Sequence, residues 1–403
     1  MIPNASTATS RRGIFYAGRF FLIAWYVGLC LWHFFSQRPL WNDEACVFQS
    51  IKYFDAVAMF SKPLMSIQVF PRAYLFCIQR FSRLFDYHLL SLRFFPLLAM
   101  LTAFGVWMRL ARREWSGGWP YGVFILSWSA SALLIYYAAE LKPYSMDVLA
   151  ASLFIWFIVE EVDLKEHLSS MKYRVVLAGL PALGLVSYPA FLFALIVLYN
   201  LILTRQRKRQ GWRDLIIYCL ALGFFLALSY VFDMRFRHVT DVTSGFGDYF
   251  ISFASVGEFF KTFQEGTLNL FIKWLVIRPR IVKKIATFFM AFGLLYMFYG
   301  FNRHIKRDGF MIKSLHTLPM ALYLELVCLG ALKIYPFTVP RTSLFFAPLV
   351  MFMVVEALRS LIKWKPPVGY LISGLYGGFL FFLALSLTRV LVNGPMGFEP
   401  VIF

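Results

Sequence analysis

Four short stretches of this sequence place acids, cations and tyrosines beside prolines at the ends of long apolar runs. Asp43 and Glu44 lie in RPLWNDEACVFQSI, and Glu140, Lys142 and Tyr144 lie in YYAAELKPYSMDVL. Ser187 and Tyr188 lie in VSYPAF, and Tyr335 and Arg341 in KIYPFTVPRTSLFFAPL. Carboxylates can take a proton, while Lys and Arg can hold an anion. At the boundary of a membrane such groups are costly to desolvate unless they pair or work. One such residue reads most simply as a solvated interface charge. Four turns presenting acids, a Lys, an Arg and tyrosines at one depth read as a site. Asp147, inside an apolar run, has no assigned role. The six histidines are scattered without ligand spacing, so neither a metal site nor a cofactor is indicated.

The elements that carry these turns are membrane spans. The chain is 60% hydrophobic and only 15% charged, whereas a soluble domain is nearer half apolar and a quarter charged. Its mean hydropathy is +0.66. Lipid removes the cost of so much exposed Phe, Leu and Trp. Apolar runs long enough to cross fall near 14–35, 94–110, 120–139, 143–160, 214–232, 285–301, 317–334, 342–360 and 369–391. The stretch 174–204 is long for one helix and short for two; Pro181 and Ser187-Tyr188-Pro189 favour two that meet at Tyr188.

Charge parity supports that division. With two spans there, Arg11/Arg12, Arg112/Arg113, Lys172/Arg174, the cluster around Arg205, Arg303/Lys306/Arg307 and Lys363/Lys365 all fall on the cytoplasmic side. The expectation is an all-α integral membrane protein, one polytopic domain over 1–403, with about eleven transmembrane helices. The amino terminus is then inside and the carboxyl terminus outside. The four polar turns share the outer face, although the parity argument used the basic loops alone. The net charge of +19 is spread over these short clusters, which argues against a nucleic-acid partner.

Two outer segments are long. Residues 37–93 mix charges into apolar sequence, as in QVFPRAYLFCIQRFSRLFDYHLL, the pattern of amphipathic helices lying in the interface. Residues 234–284 read similarly after the opening TDVTSGFGDYF, whose aromatic residues suit either sugar stacking or interfacial anchoring. Cys46 and Cys77 share the first of these segments, with two unpaired thiols favoured over a disulfide. No cleavable leader is visible, and residues 14–35 read as the first span.

At these residues the sequence resembles the GT-C membrane glycosyltransferases. The similarity is greatest to family-39-like bacterial proteins related to protein O-mannosyltransferases and the lipid A aminoarabinose transferase. WNDEA resembles the acidic pair of that family's first external loop. SLRFFPLLAMLTAFGVWMRLARREW, YYAAELKPYSMDVLAA, VSYPAFLFAL and IYPFTVPRTSLFFAPL resemble later family segments in the same order. Lys142 stands where the family usually has Arg, TVP replaces glycines before Arg341, and 234–284 aligns with nothing in the family.

The resemblance implies a GT-C-like bundle that transfers a sugar from a polyprenyl-phosphate donor with inversion at the anomeric carbon. The acceptor is a glycan, lipid or protein at the outer face of a bacterial inner membrane. A phosphate leaving group needs no general acid, in contrast to the paired carboxyls of a glycosidase. It needs one base on the acceptor and fixed cations at the phosphate. Asp43 is the expected base, with Glu44 beside it and Glu140 positioning Lys142, a sugar hydroxyl or an ion. Lys142 and Arg341 are the expected phosphate partners, with Tyr144, Tyr188 and Tyr335 lining the same site. Two alternatives remain. A transporter or flippase of a lipid-linked substrate would show midplane polar residues or paired repeats. An O-antigen polymerase or ligase would also combine lipid-linked sugars with large outer loops.

Overall fold

The computed structural model describes residues 5–208, 212–236, 249–275, 280–337, 339 and 341–394. Among them there is no strand. The helices in order are α1 (Ala5–Phe35), α2 (Asn42–Tyr53), α3 (Ala56–Ser61), α4 (Arg72–Arg83), α5 (Leu89–Trp115), α6 (Trp119–Ser129), α7 (Ala132–Tyr137) and α8 (Tyr144–His167). They continue as α9 (Ser170–Gly179), α10 (Ala190–Lys208), α11 (Trp212–Phe232), α12 (Val256–Ile272), α13 (Arg280–Asp308), α14 (Leu318–Ala331), α15 (Ala347–Trp364) and α16 (Pro366–Val392).

Among the described residues, six helical segments are long and apolar enough to cross a membrane: Ala17–Phe35, Leu89–Trp115, Trp212–Phe236, Arg280–Arg307, Leu344–Trp364 and Pro366–Val392. Ala190–Gln206 and Leu318–Ala331 are shorter apolar helices. The protein is an integral membrane protein, and its outward faces look the part. Leu220 and Phe224 of α11 and Leu371, Leu375 and Phe382 of α16 are all exposed, a disposition that lipid stabilises and water does not. The opposite case is α15, where every residue from Ala347 to Leu358 is buried. A helix apolar all round belongs inside a bundle. It packs against α13, α16 and α6, so both of its ends are fixed points of the structure.

The run 120–139, expected as one span, is divided. Helix α6 ends at Ser129 and α7 begins at Ala132. The cause is Ser131, which caps α7 by accepting from the Leu134 N–H at 3.4 Å and donates its hydroxyl to the Trp274 carbonyl at 2.9 Å. A capping serine competes with the helix ladder for the same backbone groups. Further on, α9 passes into a 3-10 turn over Leu180–Leu185, and the chain turns through Ser187-Tyr188-Pro189 before α10.

Residues 37–93 fold into a helical module with its own core of Val47, Ile51, Met59, Leu64, Phe70, Tyr74, Leu75 and Ile78, joined by Leu92 and Leu141. Helix α4 shows why. Tyr74, Leu75, Ile78 and Ser82 are buried while Cys77, Arg80 and Arg83 are exposed, a helical stripe. Gln79 closes the end of α2 by donating to the Ile51 and Phe54 carbonyls at 2.7 and 2.6 Å. Asp55 caps α3 through the Ala58 N–H at 2.6 Å. Cys46 and Cys77 are free thiols. Of the second long segment, 237–248 and 276–279, including most of TDVTSGFGDYF, lie outside the described residues. The described remainder holds α12, with Phe250 buried.

Candidate active site

The turn between α7 and α8 is held by its middle residue. Leu141 is fully buried in the core of the 37–93 module, which contributes about 1.5–3 kcal/mol. Its N–H donates to Glu44 Oε1 at 2.8 Å, and the Tyr74 hydroxyl donates to the Lys142 carbonyl at 2.9 Å. The residues on either side, Glu140 and Lys142, are thereby fixed against the first turn of α2, which carries Asp43 and Glu44.

A second anchored turn brings Arg341. Phe337 is buried against Gly266 of α12 and Gly330 of α14, where an added Cβ would come within 2.3 and 2.6 Å of its side chain. Only glycine permits that approach. The Tyr335 hydroxyl donates to the Thr342 carbonyl at 2.6 Å, and Thr342 Oγ1 donates to the Val339 carbonyl at 2.9 Å. Tyr335 is therefore a brace for the turn that presents Arg341.

At the meeting point, Lys142 Nζ donates to Asp43 Oδ2, and Arg341 Nη1 lies 3.6 Å from the same oxygen. Gln68 Nε2 donates to Asp43 Oδ1 at 3.4 Å. The Lys142 side chain is 3% exposed, and those of Asp43 and Arg341 are 22% and 20% exposed. Asp43 and Arg341 are thus the reachable members of the group. The ammonium of Lys142 also lies 4.9 Å from the centre of the Phe70 ring and 5.7 Å from that of Trp41. Burial pushes the Lys142 ammonium below its ordinary range, opposed by the Asp43 carboxylate. Tyr144 is buried edge-on against Tyr137, with ring centres 4.8 Å apart, and Arg341, Glu140 and Asp43 lie within electrostatic reach of its hydroxyl.

Glu44 is sealed away. Arg93 Nη2 and Nε donate to its two oxygens at 2.8 and 3.1 Å, and Arg38 Nη1 donates at 3.0 Å. Its side chain has no exposure. The geometry makes it a strut that ties α2 to α5 and to the Leu141 turn. Removing one member of a buried ion network leaves the others uncompensated, at about 3–5 kcal/mol. We therefore expect Glu44→Gln to lower the thermal unfolding midpoint in detergent strongly, together with activity. A midpoint equal to wild type with activity lost would instead give Glu44 a chemical role.

Glu140 is also buried, with Arg38 Nη2 4.0 Å away and no hydrogen-bond partner for either oxygen among the described residues. Burial, reinforced by the Glu44 charge, pushes its carboxyl up to about 8. The shift favours its protonated form, which donates a hydrogen bond. Tyr188 is half-buried and within electrostatic reach of Arg72. Arg72 clamps a different seam: Nη1 donates to the Met59 carbonyl at 2.6 Å, and Nε lies 3.2 Å from Asp233 at the end of α11.

The structure thus gathers Asp43, Lys142, Arg341 and Tyr144, with Glu140 and Glu44 behind them, from three distant segments. Arg38, Arg93 and Gln68 are the participants that sequence reasoning missed. Arg38 precedes WNDEA and Arg93 lies in SLRFFP. Each looks like an ordinary charge at the edge of an apolar run, and nothing in a spacing of 49 residues marks Arg93 as the partner of Glu44.

Together these features define a helical integral membrane protein with an acid–cation site at the turns of its bundle. Two solved structures share the fold. ArnT from Cupriavidus metallidurans bound to undecaprenyl phosphate superposes with a TM-score of 0.56 at 15% identity, over 96% of this chain and 71% of that one. The same protein in the apo state superposes with a TM-score of 0.52 at 16% identity and the same coverage. No family profile matches the chain, and no curated protein matches it.

Proposed function

We propose that this protein is a glycosyltransferase that moves a sugar from a polyprenyl-phosphate donor to an acceptor at the outer face of a bacterial inner membrane. The observation that carries the reading is Asp43 held between Lys142 and Arg341 on a fold shared with a protein solved with undecaprenyl phosphate bound. In the reaction, Asp43 takes the proton of the acceptor hydroxyl as that oxygen attacks the anomeric carbon from the face opposite the phosphate. The bond to the phosphate oxygen breaks, and its electron pair leaves with the polyprenyl phosphate. Lys142 and Arg341 stabilise the charge that develops there. Without donor the same two cations neutralise Asp43. An arriving phosphate competes for them and frees the carboxylate as the donor seats. A prenyl tail stays in lipid with its phosphate at headgroup depth, where a site formed by these turns meets it.

The test is transfer in vitro from radiolabelled polyprenyl-phosphate sugars to glycan, lipid and protein acceptors. A labelled product is the expected result. Movement of labelled lipid across a proteoliposome bilayer without any product would instead make the protein a flippase.

The reading includes eleven spans with the amino terminus cytoplasmic. In a cysteine-free background, single cysteines at positions 62 and 363 should then be labelled from opposite sides of intact spheroplasts. Labelling of both from one side would break the parity argument.

A further inference from the structure

The buried helix α15 has Arg341 just before one end and a cleft at the other. The cleft, about 450 Å3, lies between the last turns of α13 and α15 and the end of α5. Helix α5 joins the two places as well, with Arg93 in its first turns and Glu114 at its last. The 21 steps from Arg93 to Glu114 rise about 30 Å, the thickness of the hydrocarbon core of a bilayer. The cleft therefore opens at the opposite face of the membrane from Asp43.

Its lining carries four cations, Arg303, Arg307, Arg359 and Lys363, against two carboxylates, Glu114 and Glu356. The carboxylates are already engaged. Arg359 Nη1 lies 2.9 Å from Glu356 and 3.6 Å from Glu114. Glu356 also accepts from the Trp115 indole N–H, and Trp115 stacks on Phe352. Glu114 also lies 3.6 Å from His316 Nε2. The acids thus serve to fix Arg359. Arg303 and Lys363 are exposed, and neither pairs with a carboxylate among the described residues. Basic residues at the inner ends of spans orient a membrane protein, and cations suit helix carboxyl termini. Neither effect calls for a formed cleft with a floor of stacked His304 and His316 rings 4.5 Å apart. At the rim, the exposed Tyr299 and Trp364 are the aromatic residues that settle at headgroup depth.

We propose that this cleft binds a phosphate group, gripped by Arg303 and Lys363 over the fixed Arg359. Arginine forks and a lysine point charge match the oxygens of a phosphate. The ligand is a phosphate on an anionic lipid headgroup or free phosphate. The proposal is independent of sugar transfer at the other face.

The experiment titrates delipidated full-length protein in detergent with dioctanoyl phosphatidate, followed by native mass spectrometry, with dioctanoyl phosphatidylcholine as the control. Saturable phosphatidate binding is expected, weakened at least about tenfold in the Arg303→Gln/Lys363→Gln variant and retained in Arg341→Ala. Ser360→Phe, which obstructs the cleft and leaves every charge in place, should weaken it too and covers a folding failure of the double variant. Inorganic phosphate that competes at equal concentration identifies a soluble ligand, and phosphate that does not compete identifies the lipid; both support the site. Equal binding of phosphatidylcholine, wild-type binding by well-folded cleft variants, or loss of phosphatidate binding in Arg341→Ala overturns it.

Discussion

Asp43→Asn is expected to lower the transfer rate by at least about a hundredfold, the lower end for removal of a general base. The substitution keeps the size and hydrogen-bonding capacity of the side chain, so Gln68 and Lys142 retain a partner. Donor binding should move the other way. In the wild type Lys142 and Arg341 are shared with the Asp43 carboxylate. Neutralising that carboxylate leaves both cations to the phosphate, so donor affinity should be unchanged or tighter. A drop in rate without a loss of affinity cannot arise from a merely misfolded site. Near-normal turnover would remove Asp43 from the chemistry. No obvious substitute stands by, because Glu44 is sealed by two arginines and the Glu140 side chain is buried, with burial pushing its carboxyl above the ordinary range.

Arg341→Ala is expected to be nearly inactive, and Arg341→Lys clearly impaired. Losing a charge-assisted contact to phosphate costs about 1.5–3 kcal/mol, or roughly ten- to a hundredfold. Lysine restores the charge but not the planar fork that grips two oxygens at once. Both variants should express and insert normally. Arg341 is partly exposed, and its turn is held by Phe337, Tyr335 and Thr342 rather than by the guanidinium. The measurement separates affinity for a short-chain polyprenyl phosphate from the rate of transfer at saturation. The loss should fall on both for Ala, since the cation binds the ground-state phosphate and also meets the charge that develops on it. Wild-type behaviour of Arg341→Ala would make it an ordinary boundary charge and leave the phosphate to Lys142.

The sequence by itself determined the membrane class, because composition and run length answer directly to the bilayer as solvent. It also pointed to Asp43, Lys142 and Arg341, since charge beside proline at the end of an apolar run is conspicuous against so uniform a background. It marked 37–93 as helical and amphipathic through the period of its apolar residues. Only the tertiary structure decided what each carboxylate can do. Asp43 and Glu44 are neighbours in one helical turn, yet one side chain meets Lys142 and Arg341 at a partly open surface and the other is buried between Arg38 and Arg93. Adjacent residues on a helix point about 100° apart, so their surroundings depend on what packs on each side. Those neighbours come from α5, 49 residues away, from the Leu141 turn, 97 residues away, and from the turn before α15, much further along the chain. The break at Ser131 has the same origin. A capping serine takes its partner from the fold, and pairings at such sequence distances leave no local pattern.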